Sequence, residues 1–149
     1  MAYNGTMRAL DSSTITKEDY EALASFRYTL RRFLAFSEQA ARDVGLTPQH
    51  HQALLAIMGF PGPSKPSIGD LADALIIQHH SAVGLVNRLE AMGLAVREQD
   101  PADQRRMCLS LTEGGLNVLA KLSLVHRNEI DRVSPELIAF LRQASEVTE

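Results

Sequence analysis

The stretch SIGDLADALIIQHHSAVGLVNRLEAMGLAVREQDPADQRR, residues 67–106, decides the fold of this chain. Its apolar residues recur at helical spacing from Ile68 to Leu75 and again from Ala82 to Leu89. Between these stripes stand Ile76 and Ile77, a β-branched pair that continues a helix poorly. The pattern therefore predicts two successive helices joined by a tight turn.

The ends of the two helices are marked as well. Ser67 and Asp70 have the spacing of a capping box, and Gly93 can supply the left-handed residue that ends the second helix. The face of the second helix that is left outside the apolar stripe is rich in hydrogen-bonding and small side chains, which suit base edges and phosphates. Any solvated helix face would look similar. This face holds Gln78, His79, His80, Ser81, Val83, Gly84, Asn87 and Arg88.

A short hairpin follows directly. Residues 94–99 alternate between apolar and polar, residues 100–103 have turn chemistry, and residues 107–111 form a second alternating run. A hairpin placed immediately after a helix-turn-helix is the wing of a winged helix-turn-helix, a module that enters DNA grooves. Thr112 then caps a further helix.

Two segments resemble the MarR family of bacterial transcription regulators. DPADQRRMCLSLTEGG (residues 100–115) matches the family's wing pattern D-P-x-D-x-R, an alternating strand and L-T-x-x-G, and LVNRLEAMGL (85–94) is similar to the end of its recognition helix. The resemblance extends from about Tyr20 onward. It implies a mainly α fold with a small β-hairpin wing, in which a winged helix-turn-helix lobe (about 47–111) joins a helical dimerisation lobe (about 16–44 and 113–146), all within one domain, residues 16–149.

The resemblance also implies a function. We expect a sequence-specific, DNA-binding transcriptional regulator, not an enzyme, that acts as a homodimer on a pseudo-palindromic operator. Repression is the commoner outcome in the family. Relief would come from a small aromatic or phenolic effector between the two lobes, with Phe33, Phe36, His50 and His51 as candidate pocket residues.

Within the wing, the resemblance assigns separate roles to neighbouring residues. Arg105 is expected to reach into a DNA minor groove, oriented by a salt bridge from Asp103, and Arg106 is a candidate phosphate contact. Relatives often carry small hydroxyl residues and an arginine where this chain has His79, His80 and Gly84, so its operator cannot be borrowed from them. The predicted DNA-binding residues are His79, His80, Ser81, Val83, Gly84, Asn87, Arg88, Asp103, Arg105 and Arg106.

The flanking segments read as helices. Thr16 with Asp19 can cap a long first helix that ends at Gly45, and Thr47-Pro48 opens the next, with Leu54, Leu55 and Met58 expected to point inward. After the wing, one helix is predicted from Thr112 to Arg132. A separate last helix is predicted from Ser134-Pro135, where the same cap-plus-proline signal recurs.

Composition limits the alternatives. The 149 residues carry a net charge of −3, and between Gln78 and Arg106 four arginines meet four acids, which leaves open a winged-helix module that binds protein without reading DNA. Residues 1–15 are expected to form a flexible arm. No run of apolar residues could cross a membrane, and the single cysteine, Cys108, fits a reducing, cytoplasmic setting. The histidines lack metal-clamp spacing, so neither metal nor cofactor is expected.

Overall fold

The computed structural model describes residues 15–146, where five helices and a two-stranded hairpin follow one another along the chain. The predicted mainly α fold with a small hairpin is confirmed. The arm expected over residues 1–15 lies, except for Ile15, outside the described residues. The elements are α1 (Lys17–Asp43), α2 (Pro48–Met58), α3 (Ile68–Leu75), α4 (His79–Ala91), β1 (Ala95–Gln99), β2 (Met107–Leu111) and α5 (Glu113–Glu146).

Helices α1, α2, α3 and α5 begin at the predicted polar caps. Ser67 Oγ accepts from the amide of Asp70 (3.1 Å), whose carboxylate accepts in return from the amide of Ser67 (2.8 Å). Helix α2 has an unexpected capping box, because His50 takes the place of the usual acid or amide: its Nδ1 accepts from the backbone N–H of Thr47 at 3.2 Å. These caps satisfy donors that the first helical turn leaves without intrahelical partners.

Helices α3 and α4 are joined by the predicted turn, which has an unusual centre. Ile76 adopts a left-handed conformation, with φ of 54°, and its side chain is 92% exposed. The amide of Ile77 donates back to Ala72 O at 3.0 Å, so the left-handed residue closes the end of α3. A β-branched residue with positive φ is strained, and neighbouring structure must hold it there.

The chain divides into two compact units, of which residues 34–129 form the larger. Its core includes the predicted stripes of α3 and α4, in which Leu71, Leu85 and Leu89 are each at most 1% exposed. The hairpin closes one side through antiparallel pairing that sets Ala95 opposite Leu111 and Gln99 opposite Met107. The buried faces of α3 and α4 therefore fix the direction in which their opposite faces point.

The second unit comprises residues 1–33 and 130–149. In its described part, Phe26 and Phe140 stack with centroids 4.3 Å apart, and Thr29 Oγ1 donates to Glu136 Oε2 at 2.9 Å. A buried hydroxyl and two stacked rings thus hold the first half of α1 to the last part of α5.

Two expectations about the helices are wrong. Helix α5 does not break near Ser134-Pro135 but runs from Glu113 to Glu146 with Pro135 inside it. Pro135 is exposed, so water can solvate the carbonyl that its missing N–H leaves unpaired, and Ser134 Oγ donates to Ile130 O at 2.6 Å. In α2 only Leu54 of the predicted inward set is buried, whereas Leu55 and Met58 are exposed because they lie off its buried stripe.

Candidate nucleic-acid interface

The solvent face of α4 carries the residues that the sequence assigned to it. Asn87 and Arg88 are exposed, as are all three residues that begin the helix, His79 to Ser81, while Val83 and Gly84 are half-buried. The Arg88 guanidinium lies over Gly84, with its Nη1 3.5 Å from the position that a Cβ at residue 84 would occupy. The solvent face of α4 thus presents hydrogen-bonding side chains around Gly84, which has no side chain of its own.

Asn87 is fixed from outside the helix by Arg97 of β1. One guanidinium nitrogen of Arg97 donates to Asn87 Oδ1 at 2.8 Å and the other to Glu90 Oε1 at 2.7 Å. The amide oxygen of Asn87 is therefore engaged, which turns its NH2 group toward other acceptors. Arg97 was not among the predicted site residues. Its place in the strand, seven residues after the acidic Glu90, was a possible signal of this ion pair.

The tip of the wing is organised by two aspartates. Asp100 Oδ1 accepts from the amide of Ala102 at 2.9 Å, and Asp103 Oδ1 accepts from the amide of Arg105 at 3.0 Å. The salt bridge expected between Asp103 and Arg105 is not formed, because a carboxylate two residues earlier reaches this backbone donor first. The Arg105 guanidinium is exposed and has no ion pair among the described residues.

Arg106, one residue further, is held inside the protein's own network. Its Nη1 donates to Asp100 Oδ2 at 3.0 Å and to the carbonyl oxygen of Lys65 at 3.2 Å, and its Nη2 donates to Asp70 Oδ2 at 2.8 Å. The two adjacent wing arginines thus have opposite environments. Both arginines were predicted DNA contacts, but the intramolecular bonds of Arg106 form across 36 residues and leave no local signal in the sequence.

The ion pairs explain why this region looks balanced in charge. Glu90 pairs with Arg97, Asp100 pairs with Arg106, and Glu98 pairs with Lys65 at 2.7 Å. These pairs use most of the local acids. Within the part of the chain that the structure describes, Arg88 and Arg105 make no ion pair, so positive charge remains on α4 and at the wing tip.

Two of the candidate effector residues, Phe36 and His51, lie next to the ring of His126. The rings of His51 and His126 lie 4.7 Å apart, and the Phe36 ring meets His126 edge-on at 5.6 Å. His126 Nδ1 donates to Leu122 O, and its Nε2 bonds with Ser37 Oγ, each at 2.7 Å. His126 was missed by sequence analysis because its closeness to His51 is visible only in the folded chain.

The two histidines of α2 differ in what their rings do. His51 Nδ1 is buried without a hydrogen-bond partner, and burial, followed by the charge of His126, lowers the pKa of His51. His50 caps α2, and burial together with the positive charge of Arg88 lowers its pKa too. Phe33 belongs to the other compact unit.

A cavity of about 280 Å³ adjoins Phe36, between the last turns of α1 and the early part of α5. Its floor is apolar, with Phe36, Leu122 and Val125, and Gln39, Asp43 and Lys121 supply polar groups. Its size suits a small organic molecule.

No group of three or more His, Cys, Asp or Glu residues among the described residues could hold a metal ion, and none of their helices is long and apolar enough to cross a membrane. Cys108 is 1% exposed, so its side chain packs in the interior.

Comparison with known proteins gives one family. The model described as "MarR family" matches residues 44–106, the region of α2, α3, α4 and the wing. The chain is 30% identical over 143 residues to the HTH-type transcriptional regulator YkoM of Bacillus subtilis, covering 88% of this chain and 91% of that protein. It is 35% identical over 96 residues to a transcriptional regulatory protein proposed for the hcr operon of Thauera aromatica, covering 64% of this chain and only 56% of that protein.

Solved structures share the fold. A variant of MepR from S. aureus bound to an oligodeoxyribonucleotide superposes with a TM-score of 0.65 at 18% identity, covering 87% of this chain and 98% of that chain. At this identity the match concerns the arrangement of the elements alone.

Proposed function

This chain belongs to the MarR family of transcriptional regulators with a DNA-binding winged helix, and we propose that it binds a pseudo-palindromic operator as a homodimeric repressor. The observation that carries the proposal is the exposed polar face of α4 beside a wing tip whose arginine has no ion pair. Members of the family are transcriptional regulators and not enzymes, as the sequence led us to expect.

Helix α4 is the proposed recognition helix, placed in the major groove. Its first residues, His79 to Ser81, would face base edges or phosphates, as would Gly84 and its border residue Val83. Because Arg97 holds Asn87 Oδ1, the Asn87 amide offers donors, which suit acceptors such as guanine N7 and O6 or a phosphate oxygen. Arg88 adds a fixed positive charge to the same face.

The wing is proposed to enter the flanking minor groove through Arg105. A narrow A·T-rich minor groove concentrates negative potential and attracts a guanidinium. Asp103 supports this by ordering the backbone of the turn, since its carboxylate holds the amide of Arg105. A free guanidinium on an ordered turn loses little conformational entropy of the backbone on binding.

The winged helix-turn-helix at about 47–111 and the flanking helices are proposed to form the lobes of a homodimer. Along α1 and α5 many large apolar side chains are exposed in the single chain, and burying them against a second copy would remove them from water. These side chains include Tyr20, Leu23, Leu30, Leu34, Leu124, Ile130, Ile138 and Leu141. Two recognition helices could then address half-sites about one helical turn apart.

We propose that a small aromatic effector binds near Phe36 and His51, with His50 as a further candidate. The apolar cavity beside Phe36 and the neighbouring pair of tilted His51 and His126 rings would suit an aromatic ring with a polar substituent. Binding there would change the equilibrium between forms of the dimer that fit the operator and forms that do not.

The proposal is tested with the full chain and the DNA upstream of its own gene. We expect nanomolar, sequence-selective binding that weakens steeply as salt concentration rises. Arg105→Ala should weaken operator binding and reduce the slope of log K against log salt by about 1, while the dimer stays intact. Arg42→Ala, which removes an exposed arginine at the end of α1 and outside the apolar set above, is the matched control and should change neither.

Two results would contradict the proposal. A chain that shows no preference between its upstream DNA and a scrambled duplex would instead fit the winged-helix module that binds protein. Unchanged affinity of Arg105→Ala would remove the wing from the interface.

A further inference from the structure

The hairpin is tied to the start of α3 by one side chain. Arg106 follows the wing turn and contacts Asp70, 36 residues earlier, at 2.8 Å and Asp100, at the other end of the turn, at 3.0 Å. It also reaches the carbonyl of Lys65, just before α3. A single guanidinium therefore bridges both ends of the wing turn and the N-terminus of a helix in the core.

The partners of Arg106 are themselves fixed. Asp70 Oδ2 also accepts from the amide and the hydroxyl of Ser67, as part of the capping box of α3. The amide of Asp100 donates to Arg106 O at 2.8 Å, and the amide of Arg106 donates to Asp103 O at 3.0 Å. An arginine between two ordered carboxylates has charge-assisted bonds with fixed directions, which a flexible ammonium group would not reproduce.

The same contacts lower the pKa values of the two carboxylates. Backbone N–H donation from Ser67, helped by Arg106, holds the pKa of Asp70 below its ordinary value. The amide of Ala102 and then Arg106 do the same for the pKa of Asp100. Both carboxylates are therefore charged throughout the neutral range and stay available to Arg106.

Other contacts tie the paired strands, but not the turn, to the segment before α3. The amide of Leu109 donates to Pro66 O at 2.8 Å, and Lys65 pairs with Glu98, which also accepts from Ser110. These contacts lie within the paired strands. Of the described residues, Arg106 is the one whose side chain links the turn at the far end of the hairpin to α3.

We propose that Arg106 is a positioning residue, which holds the wing turn against the start of α3 and so sets where Arg105 stands relative to helix α4. The inference rests on the proposed function, because it assigns Arg105 to the minor groove and α4 to the major groove. It reassigns Arg106 from a direct phosphate contact to an intramolecular one. Without the bridge the wing would sample more orientations, and ordering it on DNA would cost conformational entropy.

The first test needs no DNA. Amide hydrogen exchange is measured in the free protein for the wild type, Arg106→Gln and Arg106→Lys, with far-ultraviolet circular dichroism to verify folding. Exchange at the amides of residues 100 and 106 should rise about tenfold in Arg106→Gln, and less in Arg106→Lys, which keeps one charged donor. Exchange of the α4 amides should stay as in the wild type.

The second test uses dimethyl sulfate footprints at saturating protein. The reagent methylates guanine N7 in the major groove and adenine N3 in the minor groove, so one experiment reports both contacts. Arg106→Gln should lose adenine protection in the flanks and keep guanine protection, with operator affinity about tenfold lower. Thr47→Ala is the matched control, since it removes a helix-capping hydroxyl of the same kind, on α2, that contacts none of the partners of Arg106.

The outcomes separate the two levels of inference. Unchanged exchange at the wing amides of Arg106→Gln overturns the tether whether or not the protein binds DNA. Minor-groove protection that survives in Arg106→Gln, or an equal loss in Thr47→Ala, overturns the positioning role. If the wild type shows no selective binding while the wing amides are still released in Arg106→Gln, the proposed function fails, and the inference that Arg106 sets a DNA contact fails with it.

Discussion

Replacing Gly115 by alanine should disrupt the junction between the hairpin and α5. Gly115 is the glycine of the L-T-x-x-G pattern, and it is buried. A Cβ at this position would lie 3.0 Å from the carbonyl carbon of Leu94 and well inside van der Waals contact with its oxygen. That oxygen accepts from the amide of Thr112 at 3.1 Å, so the added methyl group and this hydrogen bond compete for the same place.

The magnitude follows from three contributions. Forcing a methyl group into a packed site costs about 1–3 kcal/mol, and a displaced carbonyl that loses its partner costs about 1–3 kcal/mol. Alanine in place of glycine within a helix returns up to about 1 kcal/mol. The free energy of unfolding of Gly115→Ala should therefore fall by about 3 kcal/mol.

Urea denaturation measures the change, and Gly114→Ala is the control. A Cβ on Gly114 would meet only Gly93 O at 3.5 Å and Thr112 Oγ1 at 3.7 Å, which is ordinary contact, so this variant should be as stable as the wild type or up to about 1 kcal/mol more stable. The midpoint should drop for Gly115→Ala with an unchanged m value. Equal midpoints for the two variants would refute the steric explanation.

Two further predictions concern buried groups. Burial lowers the pKa of His51 from its ordinary 6.5, so below pH 6.5 the unfolded chain binds a proton that the folded chain does not. As the pH decreases, the free energy of unfolding therefore decreases by up to about 1.4 kcal/mol per pH unit for this group. His51→Phe should flatten the pH dependence of urea midpoints between pH 7 and about 5, whereas the exposed-site control His80→Phe should not; parallel curves for wild type and His51→Phe would be inconsistent with the assignment. Cys108, the single cysteine, should react with a thiol reagent only after unfolding in urea, and rapid reaction of the native protein would show that its strand opens.

Much of the fold was predictable because its signals are local. The Ser67–Asp70 and Thr16–Asp19 caps, the helical stripes and the turn chemistry of the wing each lie within a few residues, and the structure has all of them. The wrong prediction of a helix start at Pro135 also comes from a local signal. A cap-plus-proline pair looks the same at a helix start and inside a long exposed helix, where solvent tolerates the lost bond.

The exposed residues of the candidate site were predictable from the sequence, but the long-range contacts between side chains were not. Periodicity identified the exposed face of α4, but Arg106 meets Asp70 across 36 residues and His126 Nε2 meets Ser37 across 89, and a single sequence carries no record of such contacts. The expected Asp103–Arg105 salt bridge does not form, because Asp103 accepts a hydrogen bond from the backbone amide of Arg105 instead. Sequence spacing cannot decide between these two donors, since a nearby amide and a guanidinium are equally plausible partners.

The left-handed Ile76 limits how far the helix-turn-helix can stand alone. Its conformation is unfavourable for a β-branched residue by about 1 kcal/mol or more, and its side chain, almost wholly in water, contributes no packing in return. The burial of Leu71 and Leu85 on either side must therefore hold the bend. A peptide cut out as residues 67–92 would lack the rest of that core, so transplanting this recognition motif onto another scaffold would require carrying its hydrophobic support along or changing the isoleucine to glycine or asparagine.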